Sequence, residues 1–134
     1  MENFKLGYIF NYPFSFTQED VINFANASGD LNPIHLDEDY AKNTIFKKTI
    51  IHGFLGGSVF SKIFGTIIPG EGTIYLNQNM FFYKPMYTGV KYYAKITIEE
   101  IIKNKSRAIV KTEIFDEQQK LIIDGSAIIQ HPQI

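Results

Sequence analysis

The chain has no cysteine, which excludes disulfide bridges, thiolate metal sites and cysteine nucleophiles. It has no run of about 18 apolar residues, so no segment reads as membrane-spanning. Its 13 basic residues nearly balance its 14 acidic ones, and Lys and Arg are scattered rather than gathered in a stripe. Nucleic acid and membrane surfaces are therefore not the expected partners. The opening residues, MENFKLGYIFNY, lack the basic-then-apolar layout of a secretory signal. Internal repeats, linkers and low-complexity stretches are absent too. These absences predict one soluble, cytoplasmic domain spanning residues 1–134, long enough to bury its own core.

What the chain does have is aromatic side chains, twelve Phe and eight Tyr. Seven of them or their apolar equivalents alternate from Phe4 to Phe16, the period of a strand with one buried face. That stripe reads as core or dimer surface, and Pro13 argues for an edge position or a break near the strand's end. Thr17 and Asp20 then form a capping box for a helix that Gly29 terminates. The segment His52–Gly65 is apolar around most of its circumference and predicts a buried helix. Gly53, Gly56 and Gly57 each weaken it by about 1 kcal/mol relative to Ala, which implies close approach of another backbone or a ligand. Four strands follow, over 73–83, 90–98, 106–115 and 121–130, with turns at Gly89, Asn104 and Asp116 expected to close hairpins. The pattern predicts an α+β fold in which a curved antiparallel sheet wraps one apolar helix.

Between the two helices lies SGDLNPIHLDEDYA, residues 28–41, where Pro33 drives Asn32 out of helical geometry. The stretch reads as a loop that brings carboxyl, amide and imidazole groups together. Asp30 and His35 on such a loop can grip one water between them. Asp37 reads as the cap of a following short helix and His52 as a structural residue that fixes the loop before Gly53. His35, Asp37 and His52 can be drawn as a metal site, but their spacing matches no standard ligand pattern, so no metal is expected.

The motif Asp30-x-Asn32-Pro33-Ile34-His35-x-Asp37, followed by His52-Gly53 and Ser61, resembles the signature of the MaoC-like (R)-specific enoyl-CoA hydratases. The resemblance extends over nearly the whole chain and implies a hot-dog fold and a homodimer with a substrate tunnel lined by both chains. It implies hydration of a trans-2-enoyl-CoA to a (3R)-3-hydroxyacyl-CoA, without a cofactor. In that chemistry Asp30 and His35 activate water, Asn32 orients the pair or the water through its amide, and the Gly53 N–H at the start of a helix stabilises the developing oxyanion. Ser61 matches a family position near the active site, although a serine on a buried helix also bonds carbonyls one turn back. Three other readings stay open: a hot-dog thioesterase, an acyl-carrier-protein dehydratase and a non-catalytic acyl-thioester-binding module. Acyl chain length and the choice of carrier are not legible in the sequence.

Overall fold

The computed structural model describes residues 2–134. Strand β1 (Ile9–Phe14) leads into α1 (Gln18–Ser28), then two short helices, α2 (Pro33–Leu36) and α3 (Glu38–Lys42). Helix α4 (Gly53–Lys62) continues through a π-helical turn at Ile63–Ile67. Strands β2 (Ile74–Phe82), β3 (Tyr92–Ile102), β4 (Arg107–Phe115) and β5 (Leu121–Gln130) complete the chain. All five strands form one antiparallel sheet in the order β1-β3-β4-β5-β2.

The inward faces of β3, β4 and β5 bury Ile96, Ile98, Val110, Ile114 and Ile129 against Val59, Phe60, Ile63 and Phe64. Burying such side chains contributes roughly 1.5–3 kcal/mol each, so the helix inside the curve of the sheet is the main source of cohesion. This is the hot-dog arrangement that periodicity and resemblance both anticipated. Among the described residues no helix is long and apolar enough to cross a membrane.

Four local expectations are corrected. The first strand starts at Ile9, not Phe4: Gly7 takes a positive φ of 84°, a turn breaks the extended run, and Leu6 lies 67% exposed. From Phe10 to Phe14 the alternation holds, and Pro13 sits on an edge strand. The turn at Gly89 closes no hairpin, because β2 pairs with β5 at the far edge while β3 pairs with β1 and β4. Residues 83–91 are instead a crossing segment, anchored by buried Met86 and by the Ile51 N–H donating to the Met86 carbonyl at 2.8 Å.

Helix α4 is not buried all round, since Phe54, Ser58, Ser61 and Lys62 face outward. Its glycines meet side chains rather than backbone. A Cβ on Gly53 would lie 2.8 Å from the Phe82 ring, one on Gly56 would lie 2.7 Å from Met86 Sδ, and Gly57 is pressed by Met80.

Candidate active site

The polar segment after α1 is organised by a ladder of short side-chain-to-backbone bonds. Ser28 Oγ accepts from the Asp30 N–H at 3.1 Å, Asp30 Oδ1 from the Asn32 N–H at 3.3 Å, and Asn32 Oδ1 from the Ile34 N–H at 3.2 Å. Each is the i→i+2 bond that Ser, Asp and Asn make in turns. The ladder starts where the Thr17–Asp20 capping box and the left-handed Gly29 have delimited α1. It ends in α2, with Asn32 as N-cap and Pro33 in its first turn, where the missing N–H costs nothing. His35 therefore stands on a one-turn helix and not on the irregular loop expected. The side-chain oxygen of Asn32 is engaged as that helix's cap, and its contact with Asp30 is through backbone N–H.

His35 is buried, and its Nδ1 lies 2.8 Å from the Ile50 carbonyl oxygen. A carbonyl only accepts, so Nδ1 carries the proton and Nε2 of the neutral ring holds a lone pair. The Ile50 N–H donates back to the Ile34 carbonyl at 3.1 Å, closing a two-bond clamp on α2. Burial is the main influence lowering the His35 pKa below 6.5; the Ile50 carbonyl opposes it, His52 adds to it, and the exposed Asp30 opposes it weakly. A neutral imidazole with a fixed tautomer is a competent general base at neutral pH.

His52, at 2% exposure, completes the arrangement from a part of the chain 17 residues away. Its Nε2–H donates to the Asp30 carbonyl at 3.0 Å, and its ring stacks on His35 with centroids 3.8 Å apart and planes inclined by 26°. Its Nδ1 is sealed from solvent without a hydrogen-bond partner among the described residues. Sequence reasoning assigned His52 a structural role and missed this stack; the His-Gly pair at the head of an apolar helix was the available signal.

Asp30, His35 and His52 each offer an oxygen or ring nitrogen, and these atoms lie within 4.8 Å of one another. A water making two hydrogen bonds of about 2.8 Å at a near-tetrahedral angle has its partners about 4.6 Å apart, so Asp30 and His35 come close enough to share one. The same trio does not suit a metal ion. Imidazole lone pairs lie in the ring plane, and planes stacked at 3.8 Å and inclined by 26° meet on the order of 8 Å away, far beyond a metal–nitrogen bond of about 2.1 Å. Asp37, drawn into the candidate metal set from sequence, is elsewhere: its carboxylate caps α3 through the Tyr40 N–H at 3.1 Å.

A cavity of about 450 Å³ opens beside this cluster. Asp30, His52 and Gly53 form its polar end, and Phe46, Phe82, Met86 and Ile123 are among its apolar walls. The His52 side chain makes no cap bond to α4, and among the described residues no side chain bonds the first-turn N–H groups beginning at Gly53. Ser61 is not brought to the cluster. It lies two turns further along α4, about 12 Å from Gly53 along the axis, and faces outward. The serine that bonds a carbonyl back along the helix is Ser58, whose hydroxyl donates to Leu55 O at 2.6 Å.

Residues 4–119 match the family model described as a MaoC-like domain. The chain is 36% identical over 117 residues to an (R)-specific enoyl-CoA hydratase of Aeromonas caviae, covering 87% of each protein. It is 32% identical to a mitochondrial 3-hydroxyacyl-acyl-carrier-protein dehydratase of Solanum lycopersicum, covering 97% of this chain and 79% of that one. Among solved structures it superposes on an A. caviae (R)-hydratase involved in PHA biosynthesis with a TM-score of 0.92 and 32% identity, covering 98% of this chain and 100% of the other. With a family model matched over most of its length and relatives above 30% identity across most of theirs, the chain belongs to the MaoC-like domain family.

Proposed function

We propose that the chain is a hydro-lyase that adds water to a trans-2-enoyl-CoA to give the (3R)-3-hydroxyacyl-CoA, reversibly and with no cofactor, as a cytoplasmic homodimer. The observation that carries this reading is the approach of Asp30 and His35 close enough for one shared water, beside a helix start that has no side-chain cap. Hydration requires a base for water, a proton for C2 and a donor for the thioester oxygen. In the proposed step the water gives a proton to the Asp30–His35 pair as its oxygen bonds to C3. The electron pair of the C2–C3 double bond moves toward the thioester carbonyl, whose developing negative charge the Gly53 N–H and the α4 N-terminus stabilise. The pair then returns the proton to C2, so one water is added and the protein is regenerated. Asn32 acts by capping α2 and so holding His35, and Ser61 has no role in this scheme.

The dimer rests on the far sheet edge. Strand β2 has one partner, β5, and its open side carries exposed Ile74, Leu76, Phe81 and Phe82, with Tyr83 just beyond. An unpaired apolar edge of this kind favours pairing with a second copy.

The test is crotonyl-CoA hydration followed by loss of enoyl absorbance, with thiol release measured in parallel. Loss of enoyl absorbance without thiol release supports the reading; thiol release alone would make the chain a thioesterase.

A further inference from the structure

Two neighbouring glycines in the middle of α4 each carry a methionine seated directly on the helix backbone. A Cβ on Gly56 would lie 2.7 Å from Met86 Sδ and 3.5 Å from Ile123 Cδ1, while Met80 covers Gly57. Glycine is a poor helix former, and at both positions it leaves the space that a thioether fills. The two pairs differ in their surroundings. Met86 and Ile123 line the cavity that opens beside Asp30 and Gly53, and Met80 does not. Both lining side chains are buried, so they close the inner, apolar end of a cavity whose polar end is Asp30, His52 and Gly53.

The helix sets the depth between those ends. Gly53, whose N–H faces the thioester oxygen in the proposed step, and Gly56, against which Met86 closes, are three residues apart. At 1.5 Å per residue that is about 4.5 Å along the axis. An extended chain advances about 1.2 Å per bond, so about four bonds fit between the thioester carbonyl carbon and the Met86 side chain. A four-carbon enoyl group uses three bonds, and a six-carbon group already needs five. The stop is held from behind: Gly56 leaves Sδ no room to retreat, and the Met86 carbonyl accepts the Ile51 N–H at 2.8 Å.

We propose that Met86, seated on Gly56 and flanked by Ile123, is the residue that limits the acyl group to short chains, so that four-carbon enoyl thioesters fit and eight-carbon ones do not. The inference rests on the enoyl-thioester reading above and adds acyl length to it.

The experiment measures kcat/KM for crotonyl-, 2-hexenoyl- and 2-octenoyl-CoA in wild type and in the G56A, M86A and M80A variants. A methylene that a hydrophobic pocket cannot accept costs about tenfold or more, so wild type should favour crotonyl- over octenoyl-CoA by at least about a hundredfold. M86A should shrink that ratio about tenfold or more. G56A should act in the opposite sense, because its methyl drives the flexible thioether into the cavity and hexenoyl-CoA loses more than crotonyl-CoA. Alanine also favours the helix, so G56A keeps the fold and carries the test even if M86A does not. M80A removes the methionine that lies away from the cavity, and its length ratios should stay within about twofold of wild type. Calorimetric titration with butyryl-, hexanoyl- and octanoyl-CoA, which requires no turnover, should show the same order of affinities. Wild-type rates equal from four to eight carbons, or unchanged ratios in folded M86A or in G56A, would overturn the stop and leave the hydration reading intact. A shift in M80A as large as in M86A would overturn it as well. If no enoyl-CoA is hydrated, yet the saturated thioesters bind in this order and G56A shifts it, the hydration reading fails while the stop stands.

Discussion

His131, near the C-terminus, and His35, beside the cavity, are both buried, yet their rings are used differently. His131 Nε2–H donates to the Glu71 carbonyl at 3.0 Å, and its Nδ1 accepts from the Gln133 N–H at 3.1 Å. Both nitrogens are occupied, so the ring has become a cross-link between the C-terminal turn and the segment before β2. His35 commits only Nδ1, to Ile50, and keeps Nε2 for another partner. His52 falls between them, with one nitrogen bonded to the Asp30 carbonyl and the other sealed from solvent. The difference separates structure from chemistry: a buried imidazole with both nitrogens bonded has no lone pair to offer, whereas one fixed at a single nitrogen is oriented and still basic.

The contrast is broken most severely at the pair itself. Asp30→Asn and His35→Ala should each lower kcat for crotonyl-CoA by about two orders of magnitude or more, as loss of an acid–base group does. Circular dichroism should show both variants folded. A folded variant with near wild-type turnover would remove that residue from the mechanism.

A smaller loss is expected at His52. Replacing it with Phe keeps a ring against His35 but leaves the Asp30 carbonyl without its donor, so turnover should fall by about tenfold to a hundredfold through misplacement. Gln can still donate to that carbonyl and should recover part of the loss. Equal losses in the two variants would mean that the hydrogen bond to Asp30 is not what matters.

The acid side of the pH profile sharpens the comparison further. Burial holds the folded His35 pKa below its ordinary 6.5, so the neutral base should persist at pH 6.5 and kcat/KM should fall only at more acid pH. The stability contribution has the same sign. Between the folded and unfolded pKa values the unfolded state binds more protons, so this contribution is present above pH 6.5 and is lost as pH drops toward the folded value. An acid limb above 6.5, assigned to His35 by its absence in His35→Ala, would contradict the burial argument.

The smallest effect on catalysis is expected at His131. Its replacement by Ala should leave kcat within twofold while lowering unfolding stability by about 1–3 kcal/mol, the cost of stranding buried backbone groups. Denaturant unfolding and crotonyl-CoA hydration on the same samples check both halves.

Legibility followed the range of the interactions. The caps at Thr17, Gly29 and Asp37 were readable because each bond reaches only a few residues, and Leu121–Gln130 was readable because the period of two depends on neighbours alone. The Asp30–His35 pairing was carried by a local motif of six residues. Long-range choices were not readable: that β2 joins β5 at the far edge, that Phe82 covers Gly53, and that His52 stacks on His35. Asn32 shows the intermediate case, since Asn-Pro gave the turn but not which atom would cap it.

The central claim is that one water, held by Asp30 and His35, supplies both the oxygen and the proton. On this account Asp30 and His35, five residues apart on one short segment, would approach the enoyl plane from a single face. Hydrating crotonyl-CoA in deuterated water and locating deuterium at C2 of the resolved 3-hydroxybutyryl product tests this directly. The account predicts syn addition on the 3R product; anti addition would contradict the shared water outright.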